Sequence, residues 1–298
     1  MNAPSPQDLE QSLQLSPRVL LMRRIRAHGG LVFGAAVLAL IMLVALAAPL
    51  LAPHDPFLQD LPGRLQPPVW AEQGDWDHVL GTDQLGRDYL SRLIYGARLS
   101  LTIGFLAMLI SGLIGTTLGL CAGYLGGRTD MAITFIITAR LSMPIVLIAL
   151  AVAALLGGSL EIVILILGFL LWDRFAVVAR SATMRIRDAD FVLAARTVGC
   201  STWRILIAEI LPNVADALIV VATLEMAHAI LLEAALSFLG LGVQPPLPSW
   251  GLMIAEGRDY LFFEPWLIMI VGAALFVLVL AINLLGDGIR DVTSPDAR

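Results

Sequence analysis

The chain contains no lysine: all 19 basic residues are arginine. A phosphate-binding loop of the form Gly-x-x-x-x-Gly-Lys-Ser/Thr is therefore excluded, and with it an ATP site of that kind on this chain. Charge of either sign is scarce. Only 14 % of the residues are charged and 58 % are hydrophobic, with a mean hydropathy of +0.84. Soluble chains carry about 25 % charged residues, so an ordinary soluble domain is excluded. The net charge of −5 says little about nucleic acid, but there is no basic stripe of the kind such binding needs, and no nucleic-acid partner is expected. Two cysteines, Cys121 in an apolar run and Cys200 in a polar loop, give no disulfide framework. Four scattered histidines (His28, His54, His78, His228) show no metal-ligand spacing, so no metal is expected. No catalytic aspartate pair and no nucleophile with a base stands out, and the chain does not read as an enzyme.

What is abundant is long apolar sequence. The first uncharged run, Leu31 to Leu51, follows a polar segment that holds Arg18, Arg23, Arg24 and Arg26. Ala45-Leu46-Ala47 has the look of a signal-peptidase site, but the apolar core is longer than the roughly 7–15 residues of a signal peptide. It reads as an uncleaved transmembrane helix. A polar stretch from about Ala52 to Ser100, rich in proline and acids, comes next. Five more apolar runs follow, near 101–123, 131–156, 161–179, 214–239 and 265–286. The expectation is an all-α polytopic membrane protein with six transmembrane helices and both termini on one side. Arginine placement sets the orientation: 12 fall on the terminal side and 5 on the other, with Arg140 and Arg174 in or near spans. The positive-inside rule makes the terminal side cytoplasmic. The expected divisions are a cytoplasmic segment 1–30, a first span 31–52 and an extracytoplasmic segment 53–96. A transmembrane domain 97–287 with a cytoplasmic loop at 181–212 and a tail 288–298 complete the chain.

That loop carries Asp190, Phe191, Ala194, Ala195, Arg196, Gly199, Trp203, Leu211 and Pro212 in an order that resembles the Glu-Ala-Ala loop of ATP-binding-cassette (ABC) importer membrane subunits. Small residues suit close approach of a partner surface, and Pro212, lacking an amide proton, is expected to mark the return into the membrane. Leu193 stands where the naming glutamate would be, and Glu209 at an apolar position of the pattern. Before the second span lie Gly81-Thr82-Asp83, Gly86-Arg87-Asp88 and Ser91-Arg92. These are similar to the signature of dipeptide and oligopeptide permease subunits of the DppC/OppC type. Physically, the segment reads as a solvated, self-neutralising cap over the bundle. Leu236 to Pro246 and Pro248-Ser249-Trp250-Gly251 resemble the same family's external loop between the last two spans. There the Trp-Gly pair suits an interfacial turn. Asn283 to Asp291 resembles its C-terminal end.

The resemblance implies the type I ABC importer transmembrane fold in a bacterial inner membrane. It implies that Asp190 to Trp203 form a coupling helix docked on an ATPase. The partners it implies are two ABC ATPase subunits (as a homo- or heterodimer), a second related permease subunit and an extracytoplasmic substrate-binding protein. No cofactor is expected on this chain; ATP and Mg are used by the ATPase subunits. The cargo it suggests is di- or oligopeptide, moved by alternating access. Related permeases commonly place an Arg and an Asp in the third span, where this chain has Phe135 and Thr138, leaving Arg140 without an obvious partner.

Glu225, His228 and Glu233 fall in the fifth apolar run on one helical arc of roughly 140°. Charge is costly in lipid, so they should face protein or a water-filled path. They either line the translocation route or join helices within the bundle. A proton-coupled secondary transporter using them as a relay is the rival reading, and it leaves the cytoplasmic loop without a purpose.

Overall fold

The computed structural model describes residues 17 to 293, with side chains from residue 22 onward. Residues 1–16 of the N-terminal segment, the side chain of Arg18, and Arg298 with the rest of 294–298 lie outside the described residues. A chain this apolar must satisfy its backbone polar groups internally, which a membrane permits only as helices or closed barrels. The described residues are helical throughout the apolar runs, and the only β contact among them is an isolated bridge between Thr82 and Asp88.

The polar N-terminal arginines sit on a helix, α1 (Pro17–Ala27). The first span, α2 (Gly29–Leu46), is capped by the His28 imidazole, which accepts the Leu31 amide at 3.1 Å. It breaks at Ala47 before the short α3 (Ala48–Leu51), which contains Pro49. The second span, α4 (Tyr89–Leu125), begins within the segment expected to be polar and external. Asp88 caps it by accepting the Ser91 amide at 2.8 Å. At 37 residues, α4 is about 55 Å long, well beyond the roughly 30 Å hydrocarbon thickness.

The third apolar run is not one straight span. α5 (Gly127–Leu141) and α6 (Ile145–Leu156) meet at 84° around Ser142-Met143-Pro144. Pro144 cannot continue the ladder of α5, and it biases Met143 away from helix. α7 (Leu160–Leu170) and α8 (Asp173–Ile186) form the fourth span, which continues past Ser181 into the expected loop. After α9 (Asp190–Thr197), the fifth span starts at α10 (Thr202–Arg204). It passes through a π-helical turn, Ile205–Ile210, into α11 (Leu211–Phe238). Pro212, expected to mark the return into the membrane, lies inside a 37-residue helical rod and interrupts no helix there. The π turn, where the Leu211 amide bonds the Leu206 carbonyl, absorbs the missing amide and the bulk of the ring. α12 (Trp250–Gly257) folds back between the last two spans, and α13 (Trp266–Thr293) runs beyond the boundary expected at 287. Five helices are long and apolar enough to cross a membrane, and the count is six if the bent pair is taken as one broken span.

Close packing of α4 on α8 rests on Gly115-x-x-x-Gly119-x-x-x-Gly123. A Cβ on these glycines would lie 2.2 Å from the Trp172 carbonyl, 2.5 Å from that of Ala176 and 2.8 Å from that of Arg180. Without a water-driven force between helices in lipid, such small-residue stripes let backbones approach. Contacts between distant residues fix which ends lie together. His28 meets Asp291 at 3.0 Å, joining the start of the first span to the end of the last. Arg180 binds Asp130, and Arg196 binds Tyr124, at that same end. At the opposite end the Gln244 amide donates to the Gly158 carbonyl at 3.2 Å, and Arg87 and Arg92 meet Glu256. The start of the first span and the end of the last share a side, and α9 is on it.

Candidate functional site: an outward-facing helix, an ionic plug and a buried polar cavity

α9 is a helix of eight residues with Asp190 in its first turn, where a carboxylate complements the helix dipole. It presents two faces. Val192 is fully buried and Ala195 half-buried, packed with Ile205, Leu206 and Ile210. Asp190, Phe191, Leu193 and Ala194 are exposed, as are Val198, Gly199 and Trp203 just beyond the helix. Of the two alanines, only Ala194 is free to meet a partner; Ala195 serves the internal face. Gly199 adopts φ +83°, with nothing near its missing Cβ. Its amide bonds the Arg196 carbonyl at 2.9 Å, and the Cys200 amide bonds that of Ala195 at 3.1 Å. These bonds form a Schellman ending, so Gly199 terminates α9. Arg196 anchors the helix: its Nε donates to the Tyr124 hydroxyl at 2.9 Å and its guanidinium stacks 4.7 Å over that ring. Leu211 and Pro212 lie beyond the π turn, Leu211 half-buried against the internal face and Pro212 exposed.

The signature segment before α4 is not solvated. Thr82, Asp83, Arg87, Asp88, Ser91 and Arg92 are all buried. Asp83 Oδ2 pairs with Arg87 Nε at 2.6 Å and with Arg92 Nη1. Its Oδ1 accepts the Leu85 and Arg87 amides at 2.8 and 3.0 Å. Glu256 on α12 closes the set, 3.1 Å from Arg87 Nη2 and 2.8 Å from Arg92 Nη2, the latter off the hydrogen-bonding angle. Two guanidinium groups face two carboxylates, so the plug is self-neutralising but buried. Gly81 and Gly86 take φ of +77° and +75°, and a Cβ on Gly86 would lie 1.8 Å from the Asp60 carbonyl. The Trp-Gly pair is likewise internal. Trp250 is buried in the first turn of α12, with its indole donating to the Leu93 carbonyl at 2.9 Å. The signal for Glu256 was absent from the sequence, because its partners are more than 160 residues away in the chain.

The three polar residues of α11 do not act together. Glu225 pairs with Arg174 Nη1 at 3.0 Å, and its Oε2 lies 3.5 Å from His228 Nδ1. With Arg140 and Asp173 these groups line a cavity of about 170 Å³ beside the Ser142–Pro144 break. Glu233 is sequestered elsewhere, accepting from the Ser237 and Ser249 hydroxyls at 2.8 and 3.0 Å. The shared arc is real, but Glu233 is five residues beyond His228, about 7.5 Å along the axis. A continuous three-residue relay is not built. Arg140 donates to the Leu170 carbonyl at the α7–α8 break. The ion pair that ties α5 to α8 is Asp130 with Arg180, at 2.5 and 2.7 Å.

These features define a class, a helical membrane subunit with a short, half-exposed helix at the end where its first span starts and its last span ends. Solved chains of the MetNI methionine ABC transporter share the fold. One aligns with a TM-score of 0.56 at 19 % identity, over 68 % of this chain and 97 % of that one. Another gives 0.57 at 18 % identity, over 69 % and 98 %. The family described as binding-protein-dependent transport system inner membrane component matches residues 115–298. The N-terminal transmembrane domain of oligopeptide transport permease C matches residues 16–68. The Di/tripeptide transport system permease protein DppC of Pseudomonas aeruginosa is 44 % identical, over 90 % of this chain and 88 % of its own length. The Haemophilus influenzae dipeptide permease DppC is 38 % identical over 91 % and 92 %. The probable D,D-dipeptide permease DdpC of Escherichia coli is 39 % identical over 89 % and 87 %. The chain belongs to the binding-protein-dependent transport system inner membrane components. It is a multi-pass permease subunit of an ABC importer, and not itself an enzyme. That family works with an ATPase and a substrate-binding protein.

Proposed function

We propose that the chain forms half of the translocation path for di- or oligopeptides and is driven by ATP hydrolysed on partner subunits. The observation that carries this reading is the two-faced α9. Val192 and Ala195 fix it to the bundle, while Phe191, Leu193 and Ala194 present an apolar, small-residue surface on the side of the termini. A short helix seated in a groove is a common recognition device. In this reading two ATPase subunits, which hold the ATP and Mg, receive α9 of this chain and the equivalent helix of a second, related permease. Their closure moves the fourth and fifth spans, which flank α9, and opens the path alternately to either side. An external binding protein delivers the cargo. Peptide cargo is supported by the names of the relatives.

The test places Leu193→Cys in a background of Cys121→Ser and Cys200→Ser and applies a thiol cross-linker to membranes active in transport. An adduct with the ATPase subunit that changes with nucleotide supports the docking role. Full labelling of the cysteine with no such adduct overturns it. Cargo is tested separately, by competition of labelled dialanine uptake in the reconstituted complex.

A further inference from the structure

We propose that His54, His78 and Asp88 form a binding site for a divalent transition-metal ion, with zinc the best fit, at the external end of the bundle. The three residues come from separate places: the end of the first span, the loop before the signature, and the cap of α4. Each offers one ligand atom, and these atoms all lie within 4.8 Å of one another. His78 Nδ1 is 2.9 Å and His54 Nδ1 3.8 Å from the same oxygen, Asp88 Oδ1. Tetrahedral zinc, with bonds of about 2.0–2.2 Å, sets its ligand atoms about 3.3 Å apart. The two separations to Asp88 Oδ1 bracket that value, and the third, between the imidazoles, is within 4.8 Å.

The surroundings also point to a cation. His54 Nδ1 is buried and has no hydrogen-bond partner. Asp88 is buried, and the only ionic partners it has among the described residues are these two imidazoles. Its other oxygen is committed to the Ser91 amide, which holds the carboxylate in place. His54 Nε2 lies 3.7 Å from the exposed Asp77 carboxylate. A carboxylate beyond the far nitrogen is the usual device that orients a ligating imidazole. Two nitrogens and one oxygen suit zinc or its first-row neighbours, whereas calcium and magnesium prefer all-oxygen sets. Both rings are partly open to solvent, leaving a fourth position for water. An ion here would clasp the external segment to the first turn of α4, beside the ionic plug.

The experiment uses the intact transporter complex with its affinity tag removed and both native cysteines changed to serine. Zinc is titrated calorimetrically after chelator treatment, metal content is counted, and zinc-edge X-ray absorption reads the ligands. One zinc per chain at micromolar or tighter Kd is expected, with imidazole nitrogen in the absorption spectrum. His54→Ala and His78→Ala, each checked for an unchanged gel-filtration profile, should each weaken binding at least tenfold. Zinc should raise the melting temperature of the unsubstituted complex and of neither variant. Failure to bind one equivalent, or equal binding in both variants, overturns the proposal and leaves a plain hydrogen-bonded His–Asp cluster.

Discussion

Asp83 shows how a single residue can carry charge, geometry and packing together. It binds two buried guanidinium groups and two backbone amides. Asp83→Asn leaves a net positive charge in a closed site, and such losses cost about 3–5 kcal/mol. The variant complex should melt markedly lower in detergent. Arg92→Gln added to it should cost less than the sum of the two single changes, as a double-mutant thermal cycle would reveal. Glu225 and Arg174 give the opposite lesson, an asymmetric pair. Arg174 is 56 % exposed and Glu225 fully buried. Without Glu225, the half-exposed Arg174 is not confined to the site; without Arg174, the fully buried Glu225 keeps only the His228 contact at 3.5 Å. Arg174→Gln should therefore lower the melting temperature more than Glu225→Gln does. The reverse order would show that Arg174 is not what neutralises the carboxylate.

At the scale of elements, α9 is held by its buried Val192 and Ala195 face and, at its end, by Arg196. Arg196→Ala removes the Tyr124 hydrogen bond and the stacking while leaving the buried face intact. The complex should assemble normally, yet ATPase stimulation by the binding protein should fall several-fold. An unchanged stimulation would mean that Val192 and Ala195 suffice to hold the helix. Gly199→Ala puts a side chain at positive φ, at a cost of about 1–2 kcal/mol. Its effect should appear in the same coupling assay more than in folding, because nothing surrounds the missing Cβ. The broken spans follow similar logic: where a ladder is interrupted, a side chain compensates, as Arg140 does for the Leu170 carbonyl.

For the whole molecule, the long helices are joined at both ends by ion pairs of different worth. The His28–Asp291 pair is at least half open on the aspartate side, and exposed pairs contribute about 0–1 kcal/mol. His28→Ala should leave stability nearly unchanged apart from the small loss of the α2 cap. Gly119→Leu is expected to do far more. It forces α4 away from α8 along the glycine stripe, and the variant should fail to accumulate in the membrane, as immunoblotting of membrane fractions would record.

The sequence by itself determined the class of the protein, the run of apolar helices and the polar loop that carries α9. Each of these depends on local quantities: apolar length and the order of a few residues along the chain. Tertiary structure alone decided which charges meet. Arg87 and Arg92 found Glu256, Arg174 found Glu225, and His54, His78 and Asp88 converged from three separate segments. It also decided that the signature is buried rather than solvated and that Trp250 is internal. It separated Glu233 from His228 as well, since an arc seen in projection says nothing of height along a helix. Long-range pairing depends on how whole helices cross, and that information is not written in any one stretch of the chain.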